Sequence, residues 1–171
     1  MAFSGLNYEE AMASTRAIKR ASERESARKG LRRFQQWLTE NSGKLEPCEP
    51  IAFISPQGYF GIKFRPDFLV EINGRRTAIH IWNTASKLSK NLVLAALSLV
   101  ANRYPEDKKR PDNFAVLSLQ DGTLFSWSEA SKEHGVLGEN IVALIERTCD
   151  AARQELDLPA IVNPDAPSPT V

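Results

Sequence analysis

The stretch from Phe64 to Thr84 limits what this chain can fold into more than any other. Two runs rich in β-branched and aromatic residues flank Asn73-Gly74, the dipeptide most at home in a two-residue hairpin turn. If Asn73 and Gly74 form the whole turn, Ile72 faces Arg75, Glu71 faces Arg76 and Asp67 faces His80. Alternation then puts Phe68, Val70, Ile72, Ile79 and Ile81 together on an apolar face. A longer loop would instead set Asp67 against Trp82. The pattern predicts strands over 65–72 and 77–82, with shorter strands over 51–54 and 59–64 before them.

Outside this hairpin the pattern alternates between helix and strand. A long polar helix is predicted over 8–41, with Ala27, Leu31, Phe34 and Leu38 as its apolar stripe. Gly30 is a weak point in its middle, and Ser42-Gly43 is a stop signal. Residues 46–50, Glu-Pro-Cys-Glu-Pro, read as a linker. After Asn83-Thr84, a capping signal, a deeply packed helix is expected over 85–103. Strands at 114–119 and 123–127 follow, then an amphipathic helix over 138–156 with Ile141, Leu144, Ile145 and Cys149 inward. The expectation is therefore α/β, a mixed central sheet flanked by helices with a long N-terminal helix. Residues 1–158 form one domain in this reading, and 159–171, rich in proline, a disordered tail.

Composition narrows the function classes. The chain has 171 residues, 22 basic against 21 acidic, and a net charge of +1, so bulk charge does not mark a polybasic nucleic-acid binder. Its longest apolar stretch, 92–101, is half a membrane span, and no secretory leader pattern opens the sequence. Cys48 and Cys149 make neither a metal-pair spacing nor a disulfide framework. A cytoplasmic setting without membrane association is the expectation. There is no phosphate-binding glycine loop, no dinucleotide fingerprint and no Ser/His/Asp arrangement. Basic residues are local instead. Arg16, Lys19, Arg20, Arg24, Arg28, Lys29, Arg32 and Arg33 lie on the first helix, Lys63 and Arg65 flank Asp67, and Arg75-Arg76 sit at the hairpin tip. Such clusters suit phosphate contact; they are equally the ordinary solvated face of a helix, with Arg20 or Arg24 paired to Glu23.

An Asp and an imidazole facing each other across a hairpin have Cβ atoms about 5 Å apart. They can share a divalent cation, Mg²⁺ or, favoured by the imidazole, Mn²⁺, or form a hydrogen-bonded pair supporting a strand end. Pro66-Asp67, followed thirteen positions on by His80 at the close of a strand, resembles the PD-(D/E)XK nuclease superfamily. The order helix, three strands, helix, strand is also similar, and the resemblance spans residues 16–127. It implies a restriction-endonuclease-like core in which Asp67 binds the metal, His80 stands at the second acidic position, Ile81 at the middle one and Trp82 at the lysine. His80 is not a carboxylate, and Trp82 cannot replace an ammonium that stabilises phosphorane charge. Glu23 fits the helix glutamate that many members add as a metal ligand, and Lys87 or Lys90 could supply a displaced catalytic lysine.

The expected function is DNA binding by a degenerate, weakly active or inactive nuclease-like core, a subunit of a DNA-processing, mobile-element or defence assembly. The rival readings are an active Mg/Mn-dependent endonuclease using Asp67, His80, Glu23 and a displaced lysine, and a protein-interaction module without nucleic acid. DNA is the expected partner, with a protein partner or a second copy of the chain also open.

Overall fold

A computed structural model describes residues 7–159 except 42, 85 and 107. It is a mixed α/β structure with two small sheets and four helices. The expected tail from residue 160 onward, Ser42 of the stop signal and Ala85 of the helix start lie outside the described residues.

The hairpin forms in the two-residue register. Strands β3 (Phe68–Ile72) and β4 (Arg75–Trp82) pair antiparallel with Ile72 against Arg75, Glu71 against Arg76 and Phe68 against Ile79. Asn73 and Gly74 both take positive φ, 51° and 74°, the backbone a type I′ turn demands. β3 is shorter than its predicted 65–72 because Pro66 has no N–H to give a ladder; the Asp67 N–H still reaches the Ile79 carbonyl at 2.7 Å.

A four-stranded sheet grows from this hairpin. β5 (Asn113–Ser118) runs parallel to β4, and β6 (Leu124–Ser126) antiparallel to β5, giving the order β3-β4-β5-β6. Both faces are covered. On one, Phe68, Val70, Ile79, Ala115 and Leu117 pack with Phe34 and Trp37 of α2 (Ala21–Glu40). On the other, Leu69, Ala78 and Phe114 pack with Val93, Leu97 and Val100 of α3 (Lys90–Asn102). Side chains such as Phe68 and Leu97, fully withdrawn from water, each contribute about 1.5–3 kcal/mol.

Three expectations need correction. The first helix does not run unbroken over 8–41, and its break is not at Gly30. α1 (Tyr8–Ser14), opened by an Asn7–Glu10 capping box, passes into a 3-10 turn at Thr15–Ala17. Ile18 is then extended, and α2 begins at Ala21. Arg24 fixes this corner by donating to the Ile18 carbonyl at 3.1 Å, and Arg28 by donating to Thr15 Oγ1 at 3.0 Å. Gly30 continues α2 because a Cβ there would sit 2.9 Å from the Asn83 amide; its absence lets the helix close onto the end of β4.

The second correction concerns the sheet. β1 (Ile51–Ile54) and β2 (Gly61–Phe64) pair only with each other. They do not join the larger sheet at β3, because the backbone of Glu46 already pairs with Leu69 there, with both hydrogen bonds at 2.8 Å. The linker thus occupies the edge of β3.

The third concerns the last helix. α4 starts at Lys132 and runs to Glu155, behind a capping box between Ser131 and His134. Its inward residues are Gly138, Val142 and Glu146, not the stripe centred on Ile141, Leu144 and Ile145. Glu146 accepts from the Gln57 N–H at 2.6 Å, and Asp150 from the Tyr59 hydroxyl at 2.7 Å. α4 is oriented by these carboxylates holding the β1–β2 turn as well as by its apolar residues. The Asp150 hydrogen bond pushes the Tyr59 phenol above its ordinary pKa.

Gly138 is where α4 meets α3 most closely: a Cβ would lie 2.8 Å from the Ala95 carbonyl oxygen and 2.8 Å from Leu99 Cγ. Backbone cannot yield as a flexible side chain would. Gly138→Ala is expected to lower stability by about 1–3 kcal/mol, despite a helix-propensity gain of up to ~1 kcal/mol. A urea midpoint equal to or above the wild type's would contradict this packing.

Candidate functional site

The register of the β3–β4 hairpin carries one step past Phe68 and sets Asp67 against His80. Asp67 Oδ2 lies 3.1 Å from His80 Nδ1 and accepts from the Ile81 N–H at 2.7 Å. His80 Nδ1 is also 3.2 Å from the Arg65 carbonyl oxygen. Both neighbours of Nδ1 are acceptors, so Nδ1 carries the proton and donates to them. Side-chain exposure is 47% for Asp67 and 39% for His80, so the pair sits at the surface, at the rim of the sheet.

This geometry bears on how a cation would fit. A metal shared between Asp67 Oδ2 and His80 Nδ1 would displace the proton held between them. What stays available is one carboxylate oxygen and one imidazole nitrogen. Glu23, the expected third ligand, is in the first turn of α2 and pairs with Arg20 at 3.2 Å. Among the described residues no group of three or more His, Cys, Asp or Glu side chains could hold a metal ion. Mg²⁺ fills its coordination shell largely with waters and substrate phosphates around one or two carboxylates, and Asp67 is the carboxylate that this rim offers.

The displaced-lysine positions are also placed apart in their roles. Lys90, the first residue of α3, pairs with Glu129 at 2.7 Å. That bond holds the Glu129 carboxyl below its ordinary pKa range. Lys87 lies in the loop before α3 and is exposed. Trp82, at the position of the family lysine, donates its indole N–H to the Ser86 carbonyl at 3.1 Å and closes that same loop.

The basic residues divide into two groups. Four of those expected to meet DNA are engaged within the fold: Arg20 with Glu23, Arg32 with Glu25 at 3.0 Å, and Arg24 and Arg28 with the corner before α2. Lys29, Lys63, Arg65, Arg75 and Arg76 form no ion pair among the described residues. Lys63 and Arg65 bracket the start of the hairpin that holds Asp67, and Arg75 and Arg76 mark its tip.

Sequence reasoning missed a cleft beside the pair and the residue that braces it. A cavity of about 450 Å³ opens between the α1–α2 corner and the strand ends, walled by Ile18, Leu31, Phe34 and Ile81, with Asp67 and Asn83 on its lining. Arg33 spans from α2 to the Leu119 carbonyl at 2.7 Å, holding the helix over the end of β5. The only signal for it was an arginine one position from the apolar stripe. The Ser126 hydroxyl, without a triad in sequence, accepts from the buried Asn113 amide and bonds the Ser128 hydroxyl, while the Ser128 N–H donates to Asn113 Oδ1.

No protein-family model matches the chain, and no curated protein and no solved structure matches it.

The contacts of Asp67 make a direct prediction. Asp67→Ala strips the acceptor from the Ile81 N–H and from His80 and should cost about 1 kcal/mol of stability. Asp67→Asn, which keeps an oxygen for the Ile81 N–H, should recover most of it. Equal urea midpoints for Asp67→Ala and the wild type would show that the pair does not hold the strand end.

Proposed function

We propose that this chain is a DNA-binding protein built on a degenerate PD-(D/E)XK-like core, contributing binding rather than strand cleavage to a DNA-processing, mobile-element or defence assembly. The observation that carries the reading is the Asp67–His80 pair. It stands at the motif's position, yet its carboxylate and imidazole are turned on each other and on the backbone of Ile81 and Arg65. An aspartate used in this way supports a strand end. Trp82 closes the next loop and Lys90 is held by Glu129, so neither supplies an ammonium for stabilising transferred phosphoryl charge.

Binding draws on a different set of groups. Lys63, Arg65 and Arg75 lie exposed on or beside the hairpin and form no ion pair among the described residues, whereas Arg76 faces Glu71 and its N–H holds Asp112; Lys29 adds an exposed cation on α2. Each exposed cation is free to neutralise a phosphate and release a counterion. The sequence carries no helix-turn-helix or zinc-finger pattern that would read bases, so the recognition proposed is of the backbone.

The test is binding and cleavage side by side. Fluorescence anisotropy with a duplex should show affinity that falls steeply between 50 and 200 mM salt, a log–log slope of about −0.9 per phosphate contacted. Lys63→Ala/Arg65→Ala should weaken binding to all sequences alike and make that slope shallower by about 2. Plasmid incubated with Mg²⁺ or Mn²⁺ should stay intact. Cleavage that disappears in Asp67→Ala would establish the active endonuclease instead, and no binding at low salt would remove the DNA reading altogether.

A further inference from the structure

The last helix presents an apolar face that the rest of the chain covers only in part, Leu137 and Ile141 being half-buried and Leu144 and Ile145 exposed. Leu137, Ile141, Leu144 and Thr148 recur at spacings of four and three along α4, with Ile145 on their shoulder. Leu144 is 57% exposed and Ile145 42%, whereas the opposite side of α4, at Gly138, Val142 and Glu146, is the buried one. Thr148 does not interrupt the stripe with a free hydroxyl, since it donates to the Leu144 carbonyl at 2.9 Å. A helix that satisfied its apolar stripe within the monomer would have turned this face inward. The heptad-like spacing is that of a helix-pairing seam.

The charges beside the seam select an occupant. Glu133, Asn140 and Arg147 fall seven residues apart on one flank of the stripe. Glu133 and Arg147 are both exposed, and neither forms an ion pair among the described residues. When two copies of such a helix pack antiparallel, like flanks face each other. With the two-fold axis beside Asn140, Glu133 of each copy meets Arg147 of the other, and the two Asn140 amides face across the axis. Leu137 then packs on Ile141 of the second copy, and Leu144 over its His134. Moving the register by one heptad sets Asn140 against Arg147 or Glu133, and by two heptads sets Arg147 or Glu133 against itself, so one alignment alone joins opposite charges.

We infer that α4 is a self-association surface, pairing antiparallel with α4 of a second copy of this chain through Leu137, Ile141 and Leu144 and kept in register by reciprocal Glu133–Arg147 ion pairs. The interface is isologous, as a two-fold dimer requires, and it does not depend on the function proposed for the Asp67–His80 hairpin. Its extent is that of one helix pair, below the size of permanent dimers, which places the association in a micromolar, concentration-dependent range.

Sedimentation equilibrium of the full chain tests this. The wild type should move from 19.1 kDa to twice that mass as concentration rises through the micromolar range. Leu144→Glu should stay monomeric with an unchanged far-UV circular dichroism spectrum. Glu133→Arg and Arg147→Glu should each weaken the dimer at least about tenfold, since two attractive pairs become two repulsive ones. The double variant Glu133→Arg/Arg147→Glu should return to within about threefold of the wild type. A wild type that remains monomeric at high micromolar concentration would overturn the proposal, leaving the stripe to a different macromolecule or to none. A dimer indifferent to Leu144→Glu would place the interface elsewhere. Should Leu144→Glu lose its helical signal, the charge-reversal set decides, and a double variant as weak as the single ones would rule out this register.

Discussion

Asn73-Gly74 turns the chain in two residues, and nearly everything at the sheet's rim follows from that count. With both residues at positive φ, the strands leave the turn with their side-chain parity fixed. One residue more would have exchanged the faces of β3 and moved Phe68 and Val70 out of the cluster under α2. The same parity carries Asp67 to His80 beyond the end of the ladder. The core and the candidate site are thus two readings of one alignment, and neither can be shifted without the other.

Around this alignment the helices are held by polar contacts as much as by apolar ones. α2 lies on the sheet through Phe34 and Trp37, but its end-to-end placement comes from Arg33 at the Leu119 carbonyl and from the close passage of Gly30 past Asn83. α4 is placed on α3 at Gly138 and on the β1–β2 turn through Glu146. A buried carboxylate bonded to a backbone N–H is directional in a way that leucine contacts are not. That is why α4 can leave Leu144 and Ile145 in water while turning Glu146 inward.

The legible part of the sequence was the local part. The hairpin register, the apolar face of β3 and β4, the two later strand positions and the Asp67–His80 meeting all rest on turn chemistry and alternation, which act between near neighbours. What could not be read depended on contacts between distant segments. Glu46 pairs with Leu69 across an intervening stretch and keeps β2 out of the larger sheet; its own neighbourhood of prolines says only that no regular strand forms. Gly30 looked like a weak helix position because Asn83, which explains it, is far away in sequence. The inward side of α4 was misread because amphipathicity names an apolar face without saying whether this chain or another covers it. Within the site, the motif indicated which residues meet but not how they share a proton, and that depended on the Arg65 carbonyl and the Ile81 N–H.

The short bridge at Glu46 has a consequence for how crowded molecules of this protein behave. A sheet whose border strand offers a free row of amides is a template on which another chain can polymerise. Here that border is five residues long and already engaged at its second position by Glu46, which Pro47 and Pro50 follow. The far border, β6, is three residues long and bends at once into a 3-10 turn. Neither margin of this four-stranded sheet gives an incoming strand enough continuous backbone to zip against, so the sheet resists edge-to-edge stacking by the shape of its margins.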